Sequence, residues 1–474
     1  MRLCLRLCGL CMRLCWRRTL IGHLRSILQR PRFQPGLHAY NLEQSGGQVR
    51  AHLRVEPSGD ALLLINANRA LHLNPSAAYL SWAYLEGMSK HEAVQALRKR
   101  FNVRVSDALA DAEQMNAQLE ALLWDDASCP IHDLQLELLP PFSQSPSAPY
   151  RMDLALTYRC NNHCPHCYNA RERDFPELDT DTWLNLIDKL WEIGIPHICF
   201  TGGEATLVED LALMIQRAEA NGQITGLLTN GRRLSNRQYL DQLIAAGLDH
   251  VQITLESHIE QIHDQMVAAQ GAWKQTIAGI RNVVEAGIYV MTNTTLLREN
   301  ADTIVETIDF IADLGVPTVG INALIYAGHG KTVGTGLREE ELGPLLERVR
   351  AKTDARGLRL IWYTPTQYCH FDPVQLQLGV KACTAAQYNM CVEPDGSVLP
   401  CQSFYESLGN LTKDPWDAIW NHELAIWLRE RRYVPDECKE CAVLQECGGG
   451  CPLTLRNQPS QQPTTFTANV LMEG

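Results

Sequence analysis

Between residues 152 and 324 the chain repeats one pattern six times, a short β-rich run followed by a helical stretch. The runs are MDLALTY (152–158), HICFTGG (197–203), ITGLLTN (224–230), HVQITLE (250–256), IYVMTNTTL (288–296) and TVGINAL (318–324). Stretches such as TDTWLNLIDKLWEIG, LALMIQRAEANG and RQYLDQLIAAG separate them, each closed by a glycine suited to end a helix. Six such repeats require parallel strands with helical crossovers, which predicts a partial β/α barrel. Folds of this kind place their chemistry at the C-terminal ends of the strands.

Directly after the first run stands CNNHCPHC, with Cys160, Cys164 and Cys167 separated by three and then two residues. Two chemistries suit it. A zinc site would use His163 or His166 as a further ligand. A three-thiolate set would instead leave one iron of a [4Fe–4S] cluster open to a chelating cofactor. The second run ends in TGGEATL, where Gly202 and Gly203 let backbone approach a ligand and Glu204 offers a carboxylate to an ammonium group. One strand-helix unit after a three-cysteine loop, that tripeptide favours the open cluster.

The same spacing occurs at Cys4, Cys8 and Cys11, but there the flanks hold eight arginines and no acidic residue up to Arg32. Residues 1–35 read as a disordered basic extension with no scaffold for a cluster. The 17 cysteines fall in groups, which suits metal ligation in a reducing compartment and points to the cytoplasm. A net charge of −12 gives no overall basic field for nucleic acid, and no apolar run is long enough for a transmembrane segment.

Residues 36–125 form a separate unit in sequence. RAHLRVEP and ALLLINANRALHL read as strands, Asn74-Pro75 opens a helix, Ser89 with Glu92 caps a second, and a third runs from about 106 to 123. Residues 126–149, rich in Pro, Ser and Gln, read as a linker.

The cluster loop and the Gly-Gly-Glu strand end resemble the radical SAM superfamily. The resemblance implies that Cys160, Cys164 and Cys167 hold a [4Fe–4S] cluster and that S-adenosyl-L-methionine chelates the remaining iron. Reductive cleavage would then give a 5′-deoxyadenosyl radical that abstracts a substrate hydrogen. It also implies that Gly202, Gly203 and Glu204 line the methionine end, that His166 meets the adenine, and that Thr229, Asn230, Thr254 and Glu256 lie at later strand ends around cofactor and substrate. At the last of these the family often has Ser-Leu-Asp-Gly, whereas this chain has Thr-Leu-Glu-Ser.

A further constellation follows the barrel: Cys383, then Cys401 after PDGSVLP, then Cys438, Cys441, Cys447 and Cys451 in CKECAVLQECGGGC. It resembles the SPASM extension. That implies one auxiliary cluster on Cys383, Cys401 and Cys451 with Cys391 as fourth ligand, and a second begun by Cys438, Cys441 and Cys447. The family usually adds a cysteine about 17 residues after Cys451, and none follows here; an oxygen ligand, an open iron or no second cluster are the alternatives. Cys369 is either a stray ligand or a buried or substrate-side thiol. Cys129 and Cys199 read as linker and core thiols.

The unit at 36–125 resembles the PqqD-like peptide-recognition domain, which binds the leader of a precursor peptide as an added strand. The fold expected is therefore α/β: a partial (β/α)6 TIM-like barrel (150–360), a winged-helix-like N-terminal α+β domain, and a cysteine-rich iron–sulfur domain (361–460) before a tail (461–474). The function implied is a peptide maturase served by a flavodoxin- or ferredoxin-like electron donor. Alternatives are a maturase of another protein, a cofactor-biosynthesis enzyme, or a non-catalytic iron–sulfur scaffold. Gln402 stands where sulfatase maturases carry an aspartate, which disfavours that branch.

Overall fold

The computed structural model describes residues 32–44, 47–66, 69–124 and 146–457. The basic extension with Cys4, Cys8 and Cys11, most of the linker with Cys129, and the tail lie outside them. The chain divides into two compact units, Met1–Glu137 and Leu138–Gly474.

The first unit is an antiparallel meander, β1 (Gly36–Gln44), β2 (Gly47–Val55), β3 (Ala61–Ile65) and β4 (Arg69–Leu73), followed by helices Pro75–Leu85, Lys90–Phe101 and Val105–Trp124. The predicted caps are present. The Asn74 side chain accepts from the Ala77 N–H at 2.9 Å, and Ser89 and Glu92 bond reciprocally. Leu53, Leu63 and Ile65 pack under Trp82, Leu97 and Leu119, all nearly sealed from water. Strand β1 escaped the sequence reading because GLHAYNLEQ lacks apolar alternation; it is half-exposed and held by its ladder to β2. In the strand order β1-β2-β3-β4, β1 and β4 are the outer strands, and β1 pairs with β2 alone among the described strands.

The second unit is built on a nine-stranded sheet of order β11-β10-β9-β8-β7-β6-β5-β12-β13. The six predicted strands are β5 (Arg151–Thr157), β6 (His197–Gly202), β7 (Ile224–Thr229), β8 (His250–Thr254), β9 (Tyr289–Thr295) and β10 (Thr318–Asn322), all parallel. Three more were not foreseen. Strand β11 (Arg359–Trp362) adds parallel to β10, β12 (Asn389–Val392) adds parallel to β5, and β13 (Val398–Leu399) returns antiparallel to β12. The sheet stays open, so the barrel is partial.

Helix ends follow the sequence signals: the Asp179 side chain caps Thr180–Ile193 through the Thr182 N–H at 2.8 Å, and Gly194 ends that helix at φ +95°. The period-two alternation of β5 sends Met152, Leu154 and Leu156 into the main core with Trp183, Ile187 and Phe200. Each such side chain contributes about 1.5–3 kcal/mol on burial. The opposite face carries Asp153, Ala155 and Thr157, and this polar face leads to the strand ends that build the site. No described helix is long and apolar enough to cross a membrane.

Candidate functional site

The loop after β5 carries Cys160, Cys164 and Cys167, all partly exposed. Its backbone is clamped from several sides. Arg173 donates to the carbonyls of Cys160 and Asn162, and Arg232, just past β7, donates to the Asn161 carbonyl and at 2.8 Å to Asn162 Oδ1. The Cys167 carbonyl accepts from the N–H groups of His329 (2.9 Å) and Gly330 (3.3 Å), and His163 N–H donates to the Val267 carbonyl at 2.9 Å. The two arginines were missed in the sequence, where no local motif marks them.

The loop's electrostatics favour a metal. Burial pushes the Cys160 thiol up to about 11 and raises Cys164 and Cys167, while the neighbouring thiols add their own charge to Cys164 and Cys160. Three adjacent thiols resist ionising together unless a cation shares the site, which is the condition that iron meets. The donor set fits a cluster.

The glycines of the next strand end serve the scaffold first. A Cβ on Gly202, which sits at φ +132°, would lie 2.1 Å from the Thr157 carbonyl oxygen, and one on Gly203 would lie 2.5 Å from the carbonyl oxygens of Tyr158 and Arg159. The room they leave is filled by the end of β5. Gly203 N–H donates to the Thr157 carbonyl at 2.7 Å and Glu204 N–H to the Arg159 carbonyl at 2.9 Å, locking the Gly-Gly-Glu turn to the cysteine loop.

Glu204 is 1% exposed. Its Oε1 accepts from Thr206 Oγ1 and Thr229 Oγ1, both at 2.6 Å, and from Thr206 N–H at 3.2 Å; Oε2 accepts from Asn230 N–H at 2.8 Å. A carboxylate has about four lone-pair positions, so Oε2 retains one for a further donor. Thr229 and Asn230 thus orient Glu204, and Asn230 Nδ2 also reaches Asn161 Oδ1 at 2.6 Å in the cysteine loop. Thr254 pairs with Asn293 at the end of β8 and is half-buried.

His166, expected beside an adenine, is hydrogen-bonded to Glu256, Nε2 to Oε1 at 3.1 Å. The extra methylene of Glu256 relative to the family's aspartate lengthens its reach toward the ring. Burial opposes the charged imidazole, yet the Glu256 bond and charge outweigh it and raise the His166 pKa. Glu256 is 1% exposed and is fixed through Oε2 by the Thr295 N–H at 2.8 Å.

The downstream cysteines form two groups. In the first, burial is the main cause that raises the Cys383 and Cys401 thiols; beyond it Cys451 and Cys401 both raise Cys383, and Cys451 raises Cys401. Cys438, Cys441 and Cys447 form the other. Cys391, the thiol that the resemblance assigns as fourth ligand of the first group, is fully buried. It lies in β12 opposite Asp153, in a small cluster with Ala155, Tyr158 and Leu399, and its thiol faces the Val392 carbonyl at 3.6 Å. Cys401 is the ligand-type thiol that acts on it. Cys199 is a fully buried core thiol, as expected, and with His197 and His250 it forms a hydrogen-bonded chain at the opposite end of the strands, Nε2 to Nε2 at 2.9 Å and Sγ to His197 at 3.3 Å.

Two contacts bind the cysteine loop to the downstream region. Tyr168 Oη donates to Gln402 Oε1 at 2.9 Å, joining the neighbours of Cys167 and Cys401. Arg171 makes a two-pronged ion pair with the fully buried Glu393 at 2.7 and 2.8 Å, flanked by the rings of Phe175 and Tyr405.

An iron–sulfur enzyme on an open parallel barrel, with further thiol groups downstream, is the class that this geometry defines. Residues 154–311 match the radical SAM superfamily, and residues 383–442 match the SPASM iron–sulfur cluster-binding domain. Among curated relatives, the PqqA peptide cyclase of Gluconobacter oxydans is 29% identical over 315 residues, 65% of this chain and 86% of that protein. The Fe-coproporphyrin III synthase of Methanosarcina barkeri is 30% identical over 325 residues, 62% of this chain and 81% of that protein. Streptococcus suis SuiB bound to its precursor peptide SuiA shares the fold, with a TM-score of 0.64 at 16% identity over 86% of this chain and 95% of that one. The chain belongs to the radical SAM superfamily. It is an enzyme, and its cofactors are [4Fe–4S] clusters and S-adenosylmethionine.

Proposed function

We propose that this enzyme modifies a ribosomally made precursor peptide by hydrogen abstraction, with the first unit capturing the leader. The observation that carries the reading is the similarity to PqqA peptide cyclase across 86% of that relative's length. The outer position of β1, which pairs with β2 alone among the described strands, supports leader capture, since an extended peptide gains main-chain hydrogen bonds by adding to such an edge.

In this reading Cys160, Cys164 and Cys167 hold the cluster, and cluster and cofactor together supply the hydrogen-abstracting chemistry when bound. The protein's part is positioning. Glu204, held by Thr206, Thr229 and Asn230, offers its remaining lone pair to the cofactor's ammonium group. Gly202 and Gly203 keep the turn close to the cysteine loop, His166 and Glu256 shape the neighbouring wall, and Thr254 lines the mouth. Cys383, Cys401 and Cys451 hold one auxiliary cluster, and Cys438, Cys441 and Cys447 begin another. The residue ranges 36–125, 150–360 and 361–460 delimit the peptide-binding, barrel and auxiliary parts. A cytoplasmic flavodoxin- or ferredoxin-like protein supplies the electron.

A second reading, tetrapyrrole modification, is favoured by the 30% identity to Fe-coproporphyrin III synthase. One assay separates the two. Anaerobically reconstituted, reduced protein is given candidate peptides or iron tetrapyrroles that could be converted to Fe-coproporphyrin III, and 5′-deoxyadenosine and substrate mass are followed. Peptide modification abolished by Cys160→Ala/Cys164→Ala/Cys167→Ala but retained by Cys4→Ala/Cys8→Ala/Cys11→Ala is expected; a mass change in the porphyrin alone would overturn the peptide reading.

A further inference from the structure

Beyond the ligand set that spacing assigns to the second auxiliary group lies a fourth thiol brought in from the far side. Cys369 is 69 residues upstream of Cys438 (438 − 369), in the segment that leaves β11. That segment packs against the Cys447 turn. Tyr368 N–H donates to Cys447 Sγ at 3.4 Å, and the Cys447 thiol faces the Thr366 carbonyl at 3.7 Å. Burial is the main cause that raises the Cys369 thiol, and the thiols of Cys447 and Cys438 raise it further; Cys447 and Cys441 act in turn on Cys438.

The segment is also anchored. Glu339, 7% exposed, accepts from Gln367 N–H at 3.1 Å and from the His370 ring at 3.2 Å, so residues on both sides of Cys369 are tied to one carboxylate. Gly450 fits closely over the same stretch: a Cβ there would lie 3.0 Å from Gln367 Cγ. Cys369 itself is exposed at the residue level and is therefore not a core thiol.

We propose that Cys369 is the fourth protein ligand of the cluster held by Cys438, Cys441 and Cys447. This rests on the assignment of an auxiliary cluster to that group. Four thiolates complete a [4Fe–4S] cluster and leave no iron for substrate. The second auxiliary cluster is then an electron-transfer or structural centre, and substrate cannot bind directly to it.

Two measurements on the full chain test this. In the first, reconstituted protein is pulsed anaerobically with iodoacetamide before and after iron is removed by chelation, and peptides are quantified by mass. Cys369 is expected to be protected roughly tenfold or more in the loaded protein, because a metal-bound thiolate is not free to react. Equal labelling in both states overturns the proposal. In the second, Cys369→Ala is introduced into a chain already carrying Cys160→Ala/Cys164→Ala/Cys167→Ala, and iron content and the paramagnetic resonance spectrum are compared with that parent after mild oxidation. A new three-iron signal or loss of one cluster's iron is expected. Unchanged iron and spectrum overturn the proposal alone, whereas a parent without auxiliary iron overturns the auxiliary-cluster assignment as well.

Discussion

Replacing Glu204 by glutamine changes one oxygen to an amide nitrogen and leaves the side chain's shape intact. With the amide oxygen kept toward Thr206 and Thr229, the NH₂ group faces the Asn230 N–H that now donates to Oε2 at 2.8 Å. A buried donor is thereby set against a donor, and a charge-assisted bond is lost in a place that is 1% exposed. Leaving such a group unsatisfied costs about 1–3 kcal/mol, which corresponds to roughly 5- to 150-fold in an equilibrium constant. The expected readout is local. In cluster-loaded protein without S-adenosylmethionine, amide hydrogen exchange in the segment around Asn230 accelerates by about that factor, while the first unit is unchanged. Cofactor affinity falls in the same variant. If cofactor binding weakens while exchange around Asn230 stays at the wild-type rate, the carboxylate is a ligand only, and the reasoning that Asn230 and Thr229 act by orienting it is refuted.

Other outcomes follow from contacts of the same kind. Gly203→Ala puts a Cβ 2.5 Å from two backbone oxygens at the end of β5; it should cost about 1–3 kcal/mol and loosen iron retention, read as a lower urea midpoint and faster cluster bleaching. Arg171→Met strands the buried Glu393 with only the Tyr158 hydroxyl at 3.1 Å, at a cost of about 2–3 kcal/mol since the arginine is itself partly exposed, and Glu393→Gln added to it should restore part of the midpoint. His250 is held down to about 4 by burial and by Arg151, against a smaller opposing effect of Asp249. The unfolded chain therefore binds a proton near pH 6.5 that the folded chain refuses until about pH 4, so stability declines across that window by up to about 3 kcal/mol. Denaturation midpoints of wild type and His250→Asn should converge as pH falls through it, and parallel pH profiles would exclude the effect.

The barrel was legible because its determinants are local: each strand has its own apolar run and each helix its own cap, as Asp179 and Gly194 illustrate. Strand β1 was not, since its ladder to β2 replaces an apolar pattern, and β12 was hidden because NMCV lies in a stretch where cysteine spacing dominates the reading. Cys391 lies in that same strand. Spacing along a chain does not say which face of a strand a residue occupies, and here that face is set by pairing with Asp153. The cysteine loop and the Gly-Gly-Glu turn were found from type and position. Their clamps, Arg173 and Arg232, were not, because a salt-bridge-like grip on backbone carbonyls depends on loop trajectories that no local motif encodes. Thr229 and Asn230 were singled out, but their role as holders of Glu204 appears only once neighbouring strand ends are seen together.

The pairing of β12 with β5 bears on the order in which the molecule can be completed. Met390 faces Met152 across that ladder, 238 residues away in sequence (390 − 152). During synthesis the strand that delivers the cysteine loop therefore waits, with one open edge, until most of the chain has emerged. Non-local pairing of this kind is slow to form, and an open parallel edge recruits unwanted strands in the interval. A chain cut after β11 would keep all six repeats and Cys160, Cys164 and Cys167, yet leave β5 permanently unprotected and Arg171 without Glu393. The barrel is thus not an independent module to which a cysteine-rich domain has been appended; its first strand is finished by a strand from that domain.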